Sequence, residues 1–356
     1  MKIHTPKYCQ GCGESLEEQP PTQSDLYQKV DLPRIRPIIT EHQYQSKTCS
    51  CEHTTTYTSP KWIRYRETIK ALSTYLSVRQ YMPYERMKEF FNQVCCRASI
   101  RTDSLVNFVE GLSRKSEAIY ETIREVVQGS SIAVGRDETS LNVKGKNQWA
   151  WTWQTQQATL IGVSESRGAQ AISDYFPEGF KRAVLVHDRW ATQLNTPSKA
   201  HQLCLAHLLR DLQYAVDLEG SKWADEVSDL LRETIEQSSQ SNRADGLDPK
   251  SLEVIYRRWG EFFNEELPED QAESLKLQRG LLKHKDKIFV FREQPGVPPT
   301  NNSSERAIRN IKVKQKVSGL FRSMPGAQTF IKLRSVIDTC IKQPRDVLPV
   351  LQLLAH

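Results

Sequence analysis

The chain has 356 residues, 38% hydrophobic and 26% charged, with a net charge of +6. That length allows two or three domains with real cores, and no apolar run approaches the roughly 18–20 residues that cross a bilayer. The opening "MKIHTPKYCQGCG" lacks the apolar segment of a signal peptide, so a cytoplasmic protein is expected, with its eight cysteines serving metal ligation or packing rather than a disulfide framework.

Residues 1–62 read as a zinc-ribbon-like domain. Cys9 and Cys12, then Cys49 and Cys51, bracket "YQKVDLPRIRPIITEHQYQSK", which alternates apolar and polar residues and predicts short strands broken at Pro33 and Pro37. Four thiolates complete a closed tetrahedral site for structural Zn²⁺. Cys51 belongs to an unusually close "CSC" pair, so His53 is the alternative fourth ligand. For Cys95, Cys96 and Cys340, packing is the default reading.

Residues 63–130 carry helical periodicity and read as a DNA-binding or linker domain. "RETIKALSTYLSV", "PYERMKEFFNQVC" and "TDSLVNFVEGLSRKSEAIYETIREVV" each show an apolar stripe at three-to-four spacing. Pro83 suits a first helical turn, and Thr102 or Asp103 suits an N-cap. Three such helices make either a helix-turn-helix or a plain bundle linking two domains.

The pattern changes over 131–190, where "SIAVGRDET", "QWAWTWQT" and "ATLIGVSES" read as strands, "GAQAISDYF" as a helix and "RAVLVHDRW" as a buried strand. This β-β-β-α-β order predicts a mixed α/β sheet with a helical crossover. It sets Asp137 just past the core of the first strand and Asp188 at the end of the fourth. Trp149, Trp151 and Trp153 fall on one side of their strand and read as core rather than as base-stacking surface.

Residues 191–298 read as helical from about 199, interrupted by the polar "EQSSQSNRADGLDPKS". Cys204 and His207 stand one helical turn apart, with His201 a turn earlier; packing competes there with an incomplete metal site. Residues 299–356 open with "PTNNSSERAIRNIKVKQK" and continue into the apolar-striped "QTFIKLRSVIDTCI". Between Asp217 and Glu273 sixteen acids face six bases, a local −10. Between Glu305 and Arg334 eight Lys/Arg accompany one Glu, a local +7. Such a cationic surface suits a phosphate backbone.

Asp137 and Asp188 at one sheet edge would repel unless a divalent cation joined them, and all-oxygen ligation suits Mg²⁺ or Mn²⁺. A third carboxylate on an adjacent helix completes a site for two ions, which together cleave and join phosphodiesters. Glu305 is the best-placed third acid. Its alternative role is a capping box from Asn302, three residues upstream. With Arg309 and Lys312 it occupies one helical face, offering a metal ligand beside two phosphate-binding cations. Arg306, Lys316 and Arg210 are further candidate DNA contacts. Glu138 is expected on the opposite strand face, as a surface or hydrogen-bonding acid, and His187 is expected to line the site or pack.

"GRDETS", "CLAHLLRDL", "PTNNSSERAIR" and "GLFRSMPGAQTFIKLRSVIDTC" resemble, in order and spacing, the blocks of the DDE transposases of insertion-sequence family sixty-six. The resemblance covers nearly the whole chain. It implies an RNase H-like catalytic core interrupted by a helical insertion, with Asp137, Asp188 and Glu305 in the triad positions and the Cys204/His207 pair as a structural motif of the insertion. It also implies a bacterial, nucleoid-associated enzyme acting on terminal inverted repeats and target DNA. Such an enzyme works as a homo-oligomer, with accessory proteins of the same element as possible partners and no membrane. Many members carry glycine after the second aspartate and a longer leader, whereas this chain has Arg189 and begins almost at its cysteine motif. The competing readings are a non-catalytic DNA-binding protein and another RNase H-fold nuclease.

Overall fold

The computed structural model describes residues 2–22, 25–58, 64–95, 100–240 and 249–356, apart from the side chains of 239, 240 and 249. Cys96 and positions 241–248 of the polar segment lie outside the described residues.

The N-terminal part holds one hairpin, β1 (Ser46–Thr48) paired antiparallel with β2 (Thr54–Thr56), and a knuckle closed by the Tyr8–Ser15 bridge. The strands expected between 25 and 45 are not there. Pro33 and Pro37 cannot donate to a ladder. Leu26, Val30, Leu32, Ile38 and Ile39 are each at least 86% exposed, so the alternation has no core to face.

Helix α1 (Glu67–Thr74) runs into a π turn (Tyr75–Arg79), followed by α2 (Tyr84–Val94), α3 (Thr102–Lys115) and α4 (Glu117–Gln128). The stretch 102–127 predicts one helix, and the structure breaks it at Ser116. The Ser116 hydroxyl donates to the Ser113 carbonyl at 2.8 Å, a local bond that competes with the helical ladder. The caps also differ. Pro83 precedes α2 as its N-cap, and Arg101 caps α3, while the Thr102 hydroxyl donates to Glu85 at 3.0 Å. Ala71, Val78, Val109 and Leu112 share one core with Ile331, Phe330 and Leu351 near the C-terminus.

The central sheet comprises β3 (Ala133–Val143), β4 (Lys146–Gln154), β5 (Thr159–Ser164), β6 (Phe180–His187) and β7 (Ser198–Leu203), in the order β5-β4-β3-β6-β7. β3, β4 and β5 form an antiparallel meander, and β6 and β7 run parallel to β3. Lys144 and Gly145, both at positive φ (51° and 80°), make the two-residue turn between β3 and β4. Helix α5 (Ala169–Tyr175) crosses between β5 and β6, and the short α6 (Ala191–Leu194) leads to β7. β7 corrects the helical reading from 199: "SKAHQL" holds no β-branched or aromatic residue to signal a strand, and pairing with β6 makes it one.

Then come α7 (Leu205–Glu219), α8 (Lys222–Gln240), α9 (Pro249–Glu261), α10 (Ala272–Lys283), a 3₁₀ turn (Lys285–Lys287) and α11 (Val290–Glu293). α8 thus extends into the segment read as a loop from 236. Helices α12 (Asn302–Ser318), α13 (Met324–Lys342) and α14 (Val347–Ala355) close the chain.

Side chains alternate across the sheet, so each face has its own core. Val184, Val186 and Leu203 pack with α7, α8 and α10, whereas Val134, Leu185, Trp151 and Trp153 pack with α4 and α5. Among the described residues no helix is long and apolar enough to cross a membrane.

Candidate active site

Asp137 is mid-strand, not at a strand end, because β3 continues to Val143. Parallel pairing with β6 matches Ala133 to Val184 and Gly135 to Val186. The same register carried two residues further sets Asp137 level with Asp188, just beyond β6. Both aspartates are half-buried. The Glu138 amide donates to Asp137 Oδ1 at 2.9 Å, and the Trp190 amide to Asp188 Oδ1 at 3.1 Å.

Helix α12 reaches the aspartates because its entry is pinned on two sides. Leu205 N donates to the Pro299 carbonyl at 3.0 Å, and Asn301 N to Cys204 Sγ at 3.3 Å. The Asn301 side-chain amide donates to the Arg136 carbonyl of β3 at 3.1 Å. Gly135 lets the helix come close: a Cβ there would stand 3.2 Å from Ser304 Oγ and 3.5 Å from Ser303 Oγ. Glu305, in the first turn, thereby comes near the aspartates. Burial, then the charge of Glu138, then those of Asp188 and Glu305 push Asp137 up to about 7, against the Glu138 amide, which lowers it.

Glu305 is not a capping acid. The N-cap is Asn301 rather than Asn302, and it makes no side-chain cap bond. The Glu305 carboxylate instead accepts from Arg210 Nη2 at 3.1 Å and lies 3.7 Å from His207 Nε2. Cys204, His207 and Glu305 offer ligand atoms all within 4.8 Å of one another, the only such three-residue group among the described residues.

The cationic face of α12 divides. Arg306, Arg309 and Lys316 are exposed. Lys312 departs from the expected phosphate-binding pair, since its ammonium donates to the Ser140 carbonyl and hydroxyl of β3 at 2.8 and 3.0 Å. Lys314 lies over the Phe330 ring at 5.8 Å.

Glu138 is a buried acid, only 2% exposed at its side chain, that pairs with Arg167 at 3.1 Å and accepts from Gln193 at 2.7 Å. Arg167 in turn lies between Trp149 (4.8 Å) and the partly exposed Trp190 (4.1 Å). Trp151 and Trp153 are fully buried, as a core stripe requires, and Trp149 is half-buried beneath Arg167. His187 packs: it is buried, bonds the Asp188 carbonyl through Nδ1, and sits 2.9 Å from His201. Burial lowers it to about 3, so it stays neutral. Arg189 turns to an ion pair with Asp211 of α7.

Sequence reasoning missed Arg136. It is fully buried beneath the site, with its guanidinium 4.6 Å from the Trp151 ring and donating to Thr196 at 3.1 Å. Its place opposite Asp137 in "GRDE" was the one available signal, since neighbours on a strand face opposite ways.

The N-terminal cysteines stand as two local pairs. Backbone amides of Cys12 and Gly11 hold the Cys9 thiol below its ordinary value, and those of Cys51 and Ser50, with the Cys51 and Ser50 side chains, do the same for Cys49. Amides turned toward sulfur favour the thiolate that ligates metal.

Fold and site together define a mixed α/β protein with acidic side chains on the central strand β3 and at the C-terminal end of its neighbour β6, and the basic helix α12 beside them. The model of the Transposase IS66 family matches residues 63–329, and the chain belongs to that family. No curated protein matches it.

Proposed function

We propose that the chain is a DDE-type DNA transposase that cuts the ends of a bacterial insertion sequence and joins the 3′-hydroxyl to target DNA. The observation that carries this reading is the register that sets Asp137 level with Asp188, with Glu305 of α12 close enough that its charge, after burial and Glu138, adds to the upward shift of Asp137. Repelling carboxylates with only oxygen donors suit two Mg²⁺ or Mn²⁺ ions. When bound, such ions activate the attacking hydroxyl or water and stabilise the leaving oxygen of the phosphodiester.

The chain's own groups do the rest. Asp137 and Asp188 hold oxygen ligands on a rigid sheet, and Glu305 closes the site from α12. Exposed Arg306, Arg309 and Lys316 grip phosphates along α12, and Arg210, 63% exposed at its side chain, extends that surface from α7. Neutral, buried His187 orients the Asp188 backbone and does not serve as a base.

In this reading the five-stranded sheet is an RNase H-like core in two parts, 131–190 and 299–356, with β7 continuing the sheet to Leu203. The helices of 191–298 are its insertion, and residues 63–130 the helical domain before it. Residues 1–62 form a zinc-binding unit, with Cys9, Cys12, Cys49 and Cys51 as ligands. The protein acts in the bacterial cytoplasm on the nucleoid, as a homo-oligomer on DNA, with accessory proteins of the same element.

The test is Mg²⁺-dependent cleavage of a duplex carrying the inverted repeats that flank the gene. Glu305→Gln, Asp137→Asn and Asp188→Asn should each bind the duplex and lose cleavage by orders of magnitude. Combining two of them should add little, because the three act as a unit. Full cleavage by Glu305→Gln overturns the assignment.

A further inference from the structure

The Cys204, His207 and Glu305 group is chemically unlike the oxygen cluster beside it. Cys204 stands at the N-cap of α7, and His207 one turn on, so their side chains share a face directed at the first turn of α12. A thiol, an imidazole and a carboxylate make a soft, mixed donor set, which selects Zn²⁺ over Mg²⁺. Tetrahedral zinc holds such ligands about 3.3–3.6 Å apart, from bonds of about 2.0–2.3 Å. The present spread of up to 4.8 Å closes to that by side-chain rotation of roughly 1 Å.

The imidazole is free to ligate. His207 Nδ1 is buried without a hydrogen-bond partner, and Nε2 has only its 3.7 Å approach to Glu305. Cys204 is buried, but His207 and Glu305 each keep 31% of their side chains exposed, so an ion has a way in. A thiolate and a carboxylate neutralise one divalent cation once Arg210, which pairs with Glu305 at 3.1 Å from a side chain 63% exposed, turns out to solvent.

We infer that Cys204, His207 and Glu305 form a binding site for a zinc-class divalent cation, and that this cation draws Glu305 away from Asp137 and Asp188. The regulatory half rests on the proposed role of Glu305 in the Mg²⁺ site, whereas the binding half stands on these three residues alone. One carboxylate then serves two sites that it cannot complete together. Zinc suppresses strand cleavage, and excess Mg²⁺ restores it.

Cobalt(II), titrated into the full chain, is the probe of binding, because cobalt–thiolate absorption reports ligation by Cys204. Wild type should take up one equivalent more than Cys204→Ser, since the N-terminal cysteines contribute equally to both. His207→Gln, at a half-exposed position, should bind that equivalent at least tenfold more weakly, and it carries the test if Cys204→Ser fails to fold. In the cleavage assay His207→Gln should need at least tenfold more Zn²⁺ for half-inhibition than wild type. Equal cobalt uptake and spectra in wild type and both variants overturn the site. A cobalt difference with no inhibition by Zn²⁺ overturns the regulation. A cobalt difference in a protein that never cleaves DNA upholds the site and refutes the transposase reading.

Discussion

Gly135→Ala tests whether close packing of α12 on β3 positions the third acid. The added Cβ would meet Ser304 Oγ at 3.2 Å, Ser303 Oγ at 3.5 Å and Gln154 Cβ at 3.6 Å. Only the first contact is tighter than ordinary van der Waals packing, so the helix start must yield by a few tenths of an ångström. Alanine reduces the freedom of the unfolded chain, a gain of about 0.4–1 kcal/mol. Overpacking a core costs about 1–3 kcal/mol. The net loss is therefore about 0–2.6 kcal/mol, visible as a fall in Tm. Cleavage should suffer more, because displacement of a reacting group by 1 Å costs about a hundredfold, and a partial shift of Glu305 about tenfold. The structure also supplies a suppressor. Ser304 Oγ is buried without a partner, so Ser304→Ala should by itself be close to neutral. In the double variant the 3.2 Å contact is gone and the remaining contacts are ordinary. Thermal melts and single-turnover cleavage of all four proteins decide the matter. Unchanged cleavage by Gly135→Ala, or a double variant no better than the single, would refute the positioning argument.

Arg306→Ala and Arg309→Ala should each weaken DNA binding and flatten its log–log salt dependence by about one unit per lost phosphate contact. Lys312→Met should leave that slope unchanged and lower stability by about 1 kcal/mol, because Lys312 bonds Ser140; a flattened slope would return it to the DNA surface. Cys9→Ser should release one equivalent of zinc, measured by metal analysis, while the melt of the catalytic part stays in place; unchanged zinc content would exclude the N-terminal cysteines. Asp137 holds its proton more tightly folded than unfolded, so in Mg²⁺-free buffer stability should fall as pH rises from about 4 to about 7. Asp137→Asn should flatten that fall and raise Tm at pH 7.5, and an equal slope in the variant would remove Asp137 as its source.

What the sequence determined by itself is local. Strand-like apolar runs marked β3 to β6, three-to-four spacing marked the helices, and the ends of those patterns brought attention to Asp137, Asp188 and Glu305. Periodicity records which side of an element meets the core, so it is readable from a short window. It misled where burial was absent, as in the exposed run at 25–45, and where a local bond broke the pattern, as at Ser116. Tertiary structure decided everything that depends on distant partners. β7 is a strand because β6 lies beside it, and Lys312 left the phosphate face because Ser140 of β3 was within reach. Glu305 forms no cap because Arg210, 95 positions away in the chain, supplies a better partner than its own helix start does. Such pairings follow from sheet register and from the closeness that Gly135 permits, and no short window of sequence contains either.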